Sequence, residues 1–234
     1  MTAILDRRGR WNLRMNLLIS SLLVFFGVSS LVVSALSKAE ENFFLEFRYM
    51  TVNGTVFTTL ISLIIAIVCV TQMATGRQLR LRQLTYLRLC SAVTETIIGV
   101  VILLSLFPFV PDNPNILTYD SFSMHVIIPL LSILSFLLNR SPVESIHPLL
   151  RLNCAWLITL YAAVVIALIL GGLIPQEKIP YSFLEFNTRP IGYFIYFGCF
   201  IYSFTYVLSF LLTEGNKKLS RLWAAENQKP IRSR

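Results

Sequence analysis

Charged residues are scarce in this chain. They make up 14% of its 234 residues, whereas apolar residues make up 55% and the mean hydropathy is +0.68. A water-soluble domain carries about 25% charged residues, so this composition excludes one and indicates a membrane protein. Glycine and proline are also few, at 10 each, and the four cysteines are not grouped. Disordered, collagen-like and disulfide-rich chains are therefore excluded together.

Residues that bind metals are equally scarce. Histidine occurs only twice, and the histidines and cysteines show no metal-ligand spacing. We therefore expect no metal and no cofactor. The cysteines fall within or at the edge of apolar runs, where a small apolar side chain packs well, and are interpreted as buried structural thiols.

Six apolar runs are long enough to cross a bilayer, which takes about 20 residues of helix. Spanning segments must satisfy their backbone hydrogen bonds internally, and these runs are too continuous for barrel strands. The predicted fold is an all-α polytopic membrane protein with six transmembrane helices in one bundle. A basic arm over residues 1–13 and a basic tail over 214–234 flank the membrane domain, 14–213. The predicted spans are residues 14–37, 47–73, 86–109, 121–139, 152–174 and 190–213.

The basic residues predict the orientation of these spans. Of the 20 lysines and arginines, 16 lie in or next to the amino-terminal arm, the second and fourth loops and the tail. Short loops rich in lysine and arginine stay in the cytoplasm, so both termini are predicted to be cytoplasmic. This placement accounts for the net charge of +8. We expect anionic lipid at the basic loops and no nucleic-acid partner.

Two ionisable side chains stand out inside the predicted spans. Burying such a group in a bilayer costs about 2.5 kcal/mol or more, which makes it a functional candidate. From the helical rise, His125 lies about 6 Å below the outer end of its span and Glu95 about 20 Å below, so we expect no contact between them. Glu95 is either a hydrogen-bonded carboxyl in helix packing or a proton-relay or substrate group. His125 is either a hydrogen-bonded core histidine or a catalyst.

Thr51 lies in the outer part of the second span, at the predicted depth of His125. The two side chains could therefore meet across the bundle. A hydroxyl beside an imidazole is the minimum pairing for nucleophilic acyl chemistry. Most of the hydroxyls that follow Thr51 on the same helix are expected to bond back to their own helix carbonyls.

Three short motifs contain these residues and carry a resemblance. They are Arg48-Tyr49-Met50-Thr51, Met124-His125 with Pro129, and Pro180-Tyr181-Ser182-Phe183-Leu184. In order and spacing they resemble the androgen-induced gene and androgen-dependent TFPI-regulating protein family of multi-pass membrane hydrolases, with their microbial integral-membrane relatives.

The resemblance implies a threonine-dependent hydrolase of lipid esters. In the animal members of the family these are fatty acid esters of hydroxy fatty acids. It assigns Thr51 as nucleophile and His125 as its base, acting toward the outer leaflet. The chain departs from the microbial relatives at Gly54-Thr55, where they tend to have Ser-Asn, so an amide donor is missing there.

A lipid substrate with a free carboxylate would need a cation. Arg48 lies almost one turn before Thr51, and Arg189 lies at the start of the sixth span, so both are candidates for pairing with it. Alternatively, Arg48 extends to lipid phosphate.

The remaining catalytic groups are less defined by the sequence. Tyr49 and Tyr181 are candidate oxyanion donors, or members of an aromatic girdle at the membrane interface. Asp120, Glu46 and Glu185 are either acids that orient His125 or solvated loop charges.

Two other functions fit the same composition. A non-catalytic membrane scaffold or assembly protein needs apolar helices with a few polar contacts. A small transporter needs a polar path through the bilayer, for which Glu95 is the mid-depth charge.

Overall fold

The computed structural model describes residues 7–37, 43–76, 82–102, 118–139, 147–175, 178–181, 184 and 190–226. These residues are mainly helical, and no strand occurs among them. Each of the six long helices in this part of the chain contains a stretch apolar enough to cross a membrane. The prediction of an all-α protein with six apolar helices is thus confirmed. The helices are α1 (Arg7–Ser37), α2 (Met50–Thr75), α3 (Arg82–Val101), α4 (Tyr119–Leu137), α5 (Pro148–Leu170) and α6 (Ile191–Glu226).

The helix ends differ in places from the predicted spans. The last helix continues to Glu226, well past the predicted end at 213, and an ion pair of 2.8 Å joins Glu214 to Lys217 one turn later. Helix α2 ends where Gly76 adopts a left-handed conformation (φ 66°), as helices often do. The predicted continuation of the third span to 109 lies outside the described residues.

Close approach of α1 to α2 depends on a glycine. A Cβ atom on Gly27 would clash with Thr59 Oγ1, so any other residue at this crossing requires the helices or the Thr59 side chain to shift. Small residues at helix crossings are typical of membrane proteins, where van der Waals packing replaces the hydrophobic effect as the source of association.

Helix α3 is the most enclosed of the six. Leu89, Val93 and Cys90 have no exposed surface and pack with Phe136 of α4. By contrast, α5 and α6 expose many large apolar side chains, as expected for helices that face lipid. Cys199 is among the exposed residues of α6, so the interpretation of all four cysteines as buried is wrong for that one.

Two polar side chains tie the helices together at the opposite end from the start of α2. Arg88 of α3 is buried and donates from Nη1 to Asn16 Oδ1 (2.7 Å) and to the Ser135 carbonyl (3.2 Å). Asn216 of α6 donates to the Phe136 and Asn139 carbonyls at the end of α4, where a helix runs out of its own N–H donors. Arg88, one of the basic residues from which the topology is predicted, is therefore an internal hydrogen-bond donor.

Candidate active site

Thr51 and His125 lie together in the structure. Helix α2 begins at Met50, so Thr51 occupies its first turn. Its Oγ1 lies 3.2 Å from His125 Nε2, within hydrogen-bond distance, and only 8% of Thr51 is exposed. The predicted meeting of Thr51 and His125 across the two helices is therefore present.

The second nitrogen of His125 determines which way that hydrogen bond runs. His125 Nδ1 lies 2.7 Å from the backbone carbonyl oxygen of Ser121. A carbonyl only accepts, so Nδ1 carries the ring proton and Nε2 presents its lone pair. The Thr51 hydroxyl then donates to Nε2, which is the arrangement of a nucleophile and its base.

A backbone carbonyl thus occupies the position proposed for an orienting acid. Among the described groups, the carboxylates of Asp120 and Glu46 do not hydrogen-bond to the ring, whereas Ser121 contacts Nδ1 through its carbonyl and, at 3.3 Å, its hydroxyl. Glu185 lies outside the described residues. The sequence gives no sign of this partner, since every residue has a carbonyl.

His125 lies at the centre of a π-helical turn, Ser123–Ile127. The Ile128 N–H donates to the Ser123 carbonyl, five residues earlier. Pro129 explains the wider turn, because it has no N–H to donate and its ring would collide with the His125 carbonyl in a regular helix. A proline four residues after the histidine is the sequence signal that could have predicted this turn.

Gly99 of α3 leaves room for the π-helical turn. A Cβ atom there would lie 3.1 Å from the His125 carbonyl oxygen and 3.4 Å from Pro129 Cβ. Such a contact is tighter than most packed Cβ atoms accept. Pro129 and Gly99 together therefore position the histidine against α2.

Tyr181 lies against the start of α2. The Met50 N–H donates to its hydroxyl oxygen at 3.1 Å, and the hydroxyl also faces the side chain and N–H of Thr51. Its ring contacts Tyr49 edge-on, with centroids 6.2 Å apart. Burial raises the pKa of Tyr181 above its ordinary value, so the hydroxyl stays protonated through neutral pH.

Arg48 and Tyr49 form a separate contact beside the pair. Arg48 Cζ lies 5.0 Å from the centroid of the Tyr49 ring, and Nη2 donates to the Tyr49 hydroxyl at 3.2 Å. The Tyr161 hydroxyl of α5 donates to the Arg48 carbonyl. The structure thus places Tyr49 with Arg48, while Tyr181 is the tyrosine beside Thr51.

Arg48 also lines a groove of about 410 Å³. The groove runs along α5, whose Leu160, Val164 and Leu168 form an apolar wall, and Lys178 is its second cationic residue. Thr51 and His125 are not part of its lining. Arg189, the other predicted cation, lies outside the described residues.

Glu95 of α3 forms its contacts further along α2, beyond Thr51. It has no exposed surface, and Thr58 Oγ1 donates to its Oε1 at 2.8 Å. Ser91 lies 2.8 Å from the same Thr58 oxygen. Thr58 therefore bonds across to α3, whereas Thr59 bonds back to the Thr55 carbonyl at 2.7 Å.

Neither a metal site among the described residues nor a known relative indicates the chemistry of this site. No cluster of three or more histidine, cysteine, aspartate or glutamate side chains suited to a metal occurs among the residues described. The chain matches no protein-family model, no curated protein and no solved structure.

Proposed function

We propose that the chain is an intramembrane hydrolase of lipid esters, with Thr51 as nucleophile and His125 as general base. The 3.2 Å contact between Thr51 Oγ1 and His125 Nε2 carries the proposal, because the ring presents its lone pair to the hydroxyl. His125 takes the Thr51 proton as Thr51 Oγ1 attacks the ester carbonyl. The bond from that carbon to the ester oxygen then breaks, and His125 gives the proton to the leaving alcohol, so that acyl-Thr51 and a neutral imidazole remain. The resemblance of three motifs to a family of membrane hydrolases supports the same pair.

The start of α2 supports a site for negative charge. The first N–H groups of a helix have no partner within it, and the helix dipole favours an anion there. Thr51 lies in this first turn, and the protonated Tyr181 hydroxyl faces it. We assign Tyr181 as the side-chain donor to the oxyanion of the tetrahedral intermediate.

Release of the acyl group uses the same histidine. Water gives a proton to His125 Nε2 and its oxygen bonds to the acyl carbon. The bond between that carbon and Thr51 Oγ1 breaks, and Thr51 recovers its proton from the imidazolium.

The groove along α5 suits one chain of an amphiphilic substrate. Its apolar wall fits an acyl chain, and Arg48 and Lys178 offer cations to a carboxylate. A lipid ester with a free carboxylate, such as a fatty acid ester of a hydroxy fatty acid, is therefore the proposed substrate class. Arg48 bound to lipid phosphate is the alternative use of the same charge.

The proposed orientation places the site where ester linkages occur. With both termini cytoplasmic, α2 begins at the outer leaflet, near the boundary between headgroups and hydrocarbon. A nucleophile at that depth reaches an ester without removing its chains from the bilayer.

Covalent labelling tests the proposed pair. The purified protein is treated with a lipophilic fluorophosphonate, and the adduct is located by peptide mass spectrometry. We expect an adduct on Thr51 that is lost in Thr51→Ala and strongly reduced in His125→Ala. The control is Thr71→Ala, whose hydroxyl bonds to its own helix at the Ile67 carbonyl and should not matter.

The outcomes separate the functional classes. Labelling that survives Thr51→Ala, or that is indifferent to His125→Ala, would contradict the mechanism. A folded wild-type protein that takes up no label would instead favour the scaffold.

A second experiment tests the role of Arg48. In Arg48→Leu, hydrolysis of a carboxylate-bearing ester should fall more than that of its methyl ester, because only the first needs the cation. If the hydrolysis of both esters falls equally, Arg48 does not bind the carboxylate, and lipid phosphate is its alternative partner.

A further inference from the structure

A column of hydroxyls runs along one face of α2, from the candidate pair to Glu95. Thr51 contacts His125 at one end, and Thr58 donates to Glu95 at the other. Thr55 lies between them and is fully buried. The helical rise separates Thr51 from Thr55 by about 6 Å and Thr55 from Thr58 by about 4.5 Å. One water bridges two oxygens about 4.5 Å apart, and two waters in a row bridge about 6 Å.

Three buried polar atoms in this region have no hydrogen-bond partner among the described residues. They are Thr55 Oγ1, Thr94 Oγ1 and Glu95 Oε2, and none of these residues has exposed surface. Buried polar groups in native proteins are normally satisfied, by protein or by ordered water. These three atoms therefore call for a ligand that can both donate and accept.

The three residues lie around the same turn of α2. A Cβ atom on Gly54, the neighbour of Thr55, would lie 3.4 Å from Glu95 Oε1 and 3.6 Å from Thr94 Cγ2. The opposite face of α3 is apolar, since Leu89 and Val93 pack into the core cluster there. The unpartnered atoms are thus enclosed between α2 and α3, on the Glu95 side of the catalytic pair.

We propose that Thr55, Thr94 and Glu95 form a buried water site that supplies the water for hydrolysis of the acyl-Thr51 intermediate. The inference rests on the proposed function and identifies the source of its second substrate. Only 8% of Thr51 is exposed, and a bound acyl group covers that surface. Water held on the buried side still reaches the acyl carbon.

Glu95 acts in this site as a positioning residue and does not take up the proton. Its Oε1 already accepts from Thr58, so Oε2 is the atom that holds the water. A water that moves from this site along the column to Thr51 gives its proton to His125 Nε2 as its oxygen bonds to the acyl carbon. The bond from that carbon to Thr51 Oγ1 then breaks, and Thr51 takes the proton of the imidazolium. A glutamine can hold water in the same way, whereas a leucine cannot.

Separate measurement of acylation and deacylation tests the site. A chromogenic ester that gives a burst reports acylation in the burst and deacylation in the steady state. We expect Glu95→Leu and Thr94→Val to slow deacylation about tenfold, the rate equivalent of one hydrogen bond, with acylation unchanged. Glu95→Gln should restore the wild-type rate.

The matched control is Thr96→Val on the same helix. The Thr96 hydroxyl donates to the Ala92 carbonyl at 2.6 Å, so its loss should leave both rates unchanged. Equal slowing in Thr96→Val, unchanged deacylation in Thr94→Val, or a Glu95→Gln variant as slow as Glu95→Leu would each overturn the proposal.

A measurement without turnover separates this proposal from the proposed function. X-ray radiolysis in heavy-oxygen water oxidises side chains next to ordered water. Ile98, whose Cδ1 faces Gly54, should be labelled in the wild type despite its burial and not in Glu95→Leu. Absence of label from wild-type Ile98 overturns the water site, whereas labelled Ile98 without acyl-Thr51 overturns only the hydrolase.

Discussion

At the scale of single residues, the hydrogen-bond partner of His125 Nδ1 carries no charge. A carboxylate beside Nδ1 would have to be buried among apolar helices, at a cost of several kcal/mol. The Ser121 carbonyl fixes the same tautomer without charge. The orientation of the base therefore depends on the backbone of α4, and no side-chain substitution removes its partner.

Tyr181→Phe tests the proposed oxyanion donor. The substitution removes the hydroxyl that faces Thr51 and leaves the Met50 N–H without its acceptor. We expect turnover to fall about 100-fold, the usual effect of losing one such donor, with substrate affinity little changed. Steady-state kinetics in nanodiscs provides the measurement, and a change confined to affinity would contradict the assignment.

The same variant gives a pH dependence of stability. Burial raises the pKa of Tyr181, so the folded state favours the protonated hydroxyl. The stabilisation is complete below the ordinary tyrosine pKa of about 10 and is lost as pH rises toward the folded-state pKa. Above about pH 10, the unfolding temperature of the wild type should therefore fall more steeply than that of Tyr181→Phe. If the unfolding temperatures of the two proteins fall with the same slope, the pKa of Tyr181 does not change on unfolding.

The sequence could pair Thr51 with His125 because helical rise sets depth, and both lie near the same end of their helices. The partners of His125 and Arg48 could not be predicted in this way. Ser121 contributes a carbonyl, which has no sequence signature, and Tyr161 reaches a carbonyl 113 residues away. The distinction between Tyr49 and Tyr181 likewise depends on tertiary contacts.

At the scale of secondary structure, the proline that widens the π-helical turn of α4 lowers the stability of the helix but positions His125. A proline inside a helix costs about 3 kcal/mol relative to alanine. Here it widens the turn that carries His125. Apolar content alone predicted the helix but not the turn within it.

Pro129→Ala should separate stability from activity. Alanine supplies an N–H for the His125 carbonyl, so the turn can become regular and rotate His125 away from Thr51. We expect an unchanged or higher unfolding temperature and loss of Thr51 labelling. Pro148→Ala, at the start of α5 where proline is well tolerated, is the control and should retain labelling. Full labelling in Pro129→Ala would show that the contact between Thr51 and His125 does not depend on the π-helical turn.

Gly27→Ala tests the crossing of α1 and α2. The added methyl group would clash with Thr59 Oγ1, so the helices or the Thr59 side chain must shift, at a cost of about 1–3 kcal/mol. A lower unfolding temperature in detergent is the expected result. Gly198→Ala places its methyl group in open space and should not lower it. Equal effects of the two substitutions would contradict the close crossing.

At the scale of the whole molecule, the basic residues predict a topology that reporters can measure. Cysteines introduced next to either terminus should react with an impermeant maleimide only after the membrane is opened from the cytoplasmic side. A cysteine at Asn113, in the loop after the third predicted span, should react in intact cells. Labelling of the termini in intact cells would reverse the orientation and place Thr51 at the inner leaflet.

The relative positions of the helices are what hydropathy could not provide. The enclosed helix α3 is the least hydrophobic of the six, and the largely exposed α5 is more hydrophobic, but this ranking does not say which helices pack against each other. Arg88 illustrates the difference, since a residue counted as a topology signal is buried against Asn16 and Ser135. Such polar contacts and a few glycines determine which helices pack against each other. These residues are too few to form a recognisable sequence pattern.

The groove on α5 has a kinetic consequence. Its wall includes exposed apolar side chains such as Leu160 and Val164, so in a bilayer we expect it to open sideways to the hydrocarbon rather than to water. A lipid enters such a groove by lateral diffusion within one leaflet. The rate of the proposed hydrolysis then depends on the mole fraction of substrate in the bilayer. Diluting the substrate with inert lipid, at constant bulk concentration, should slow hydrolysis by surface dilution.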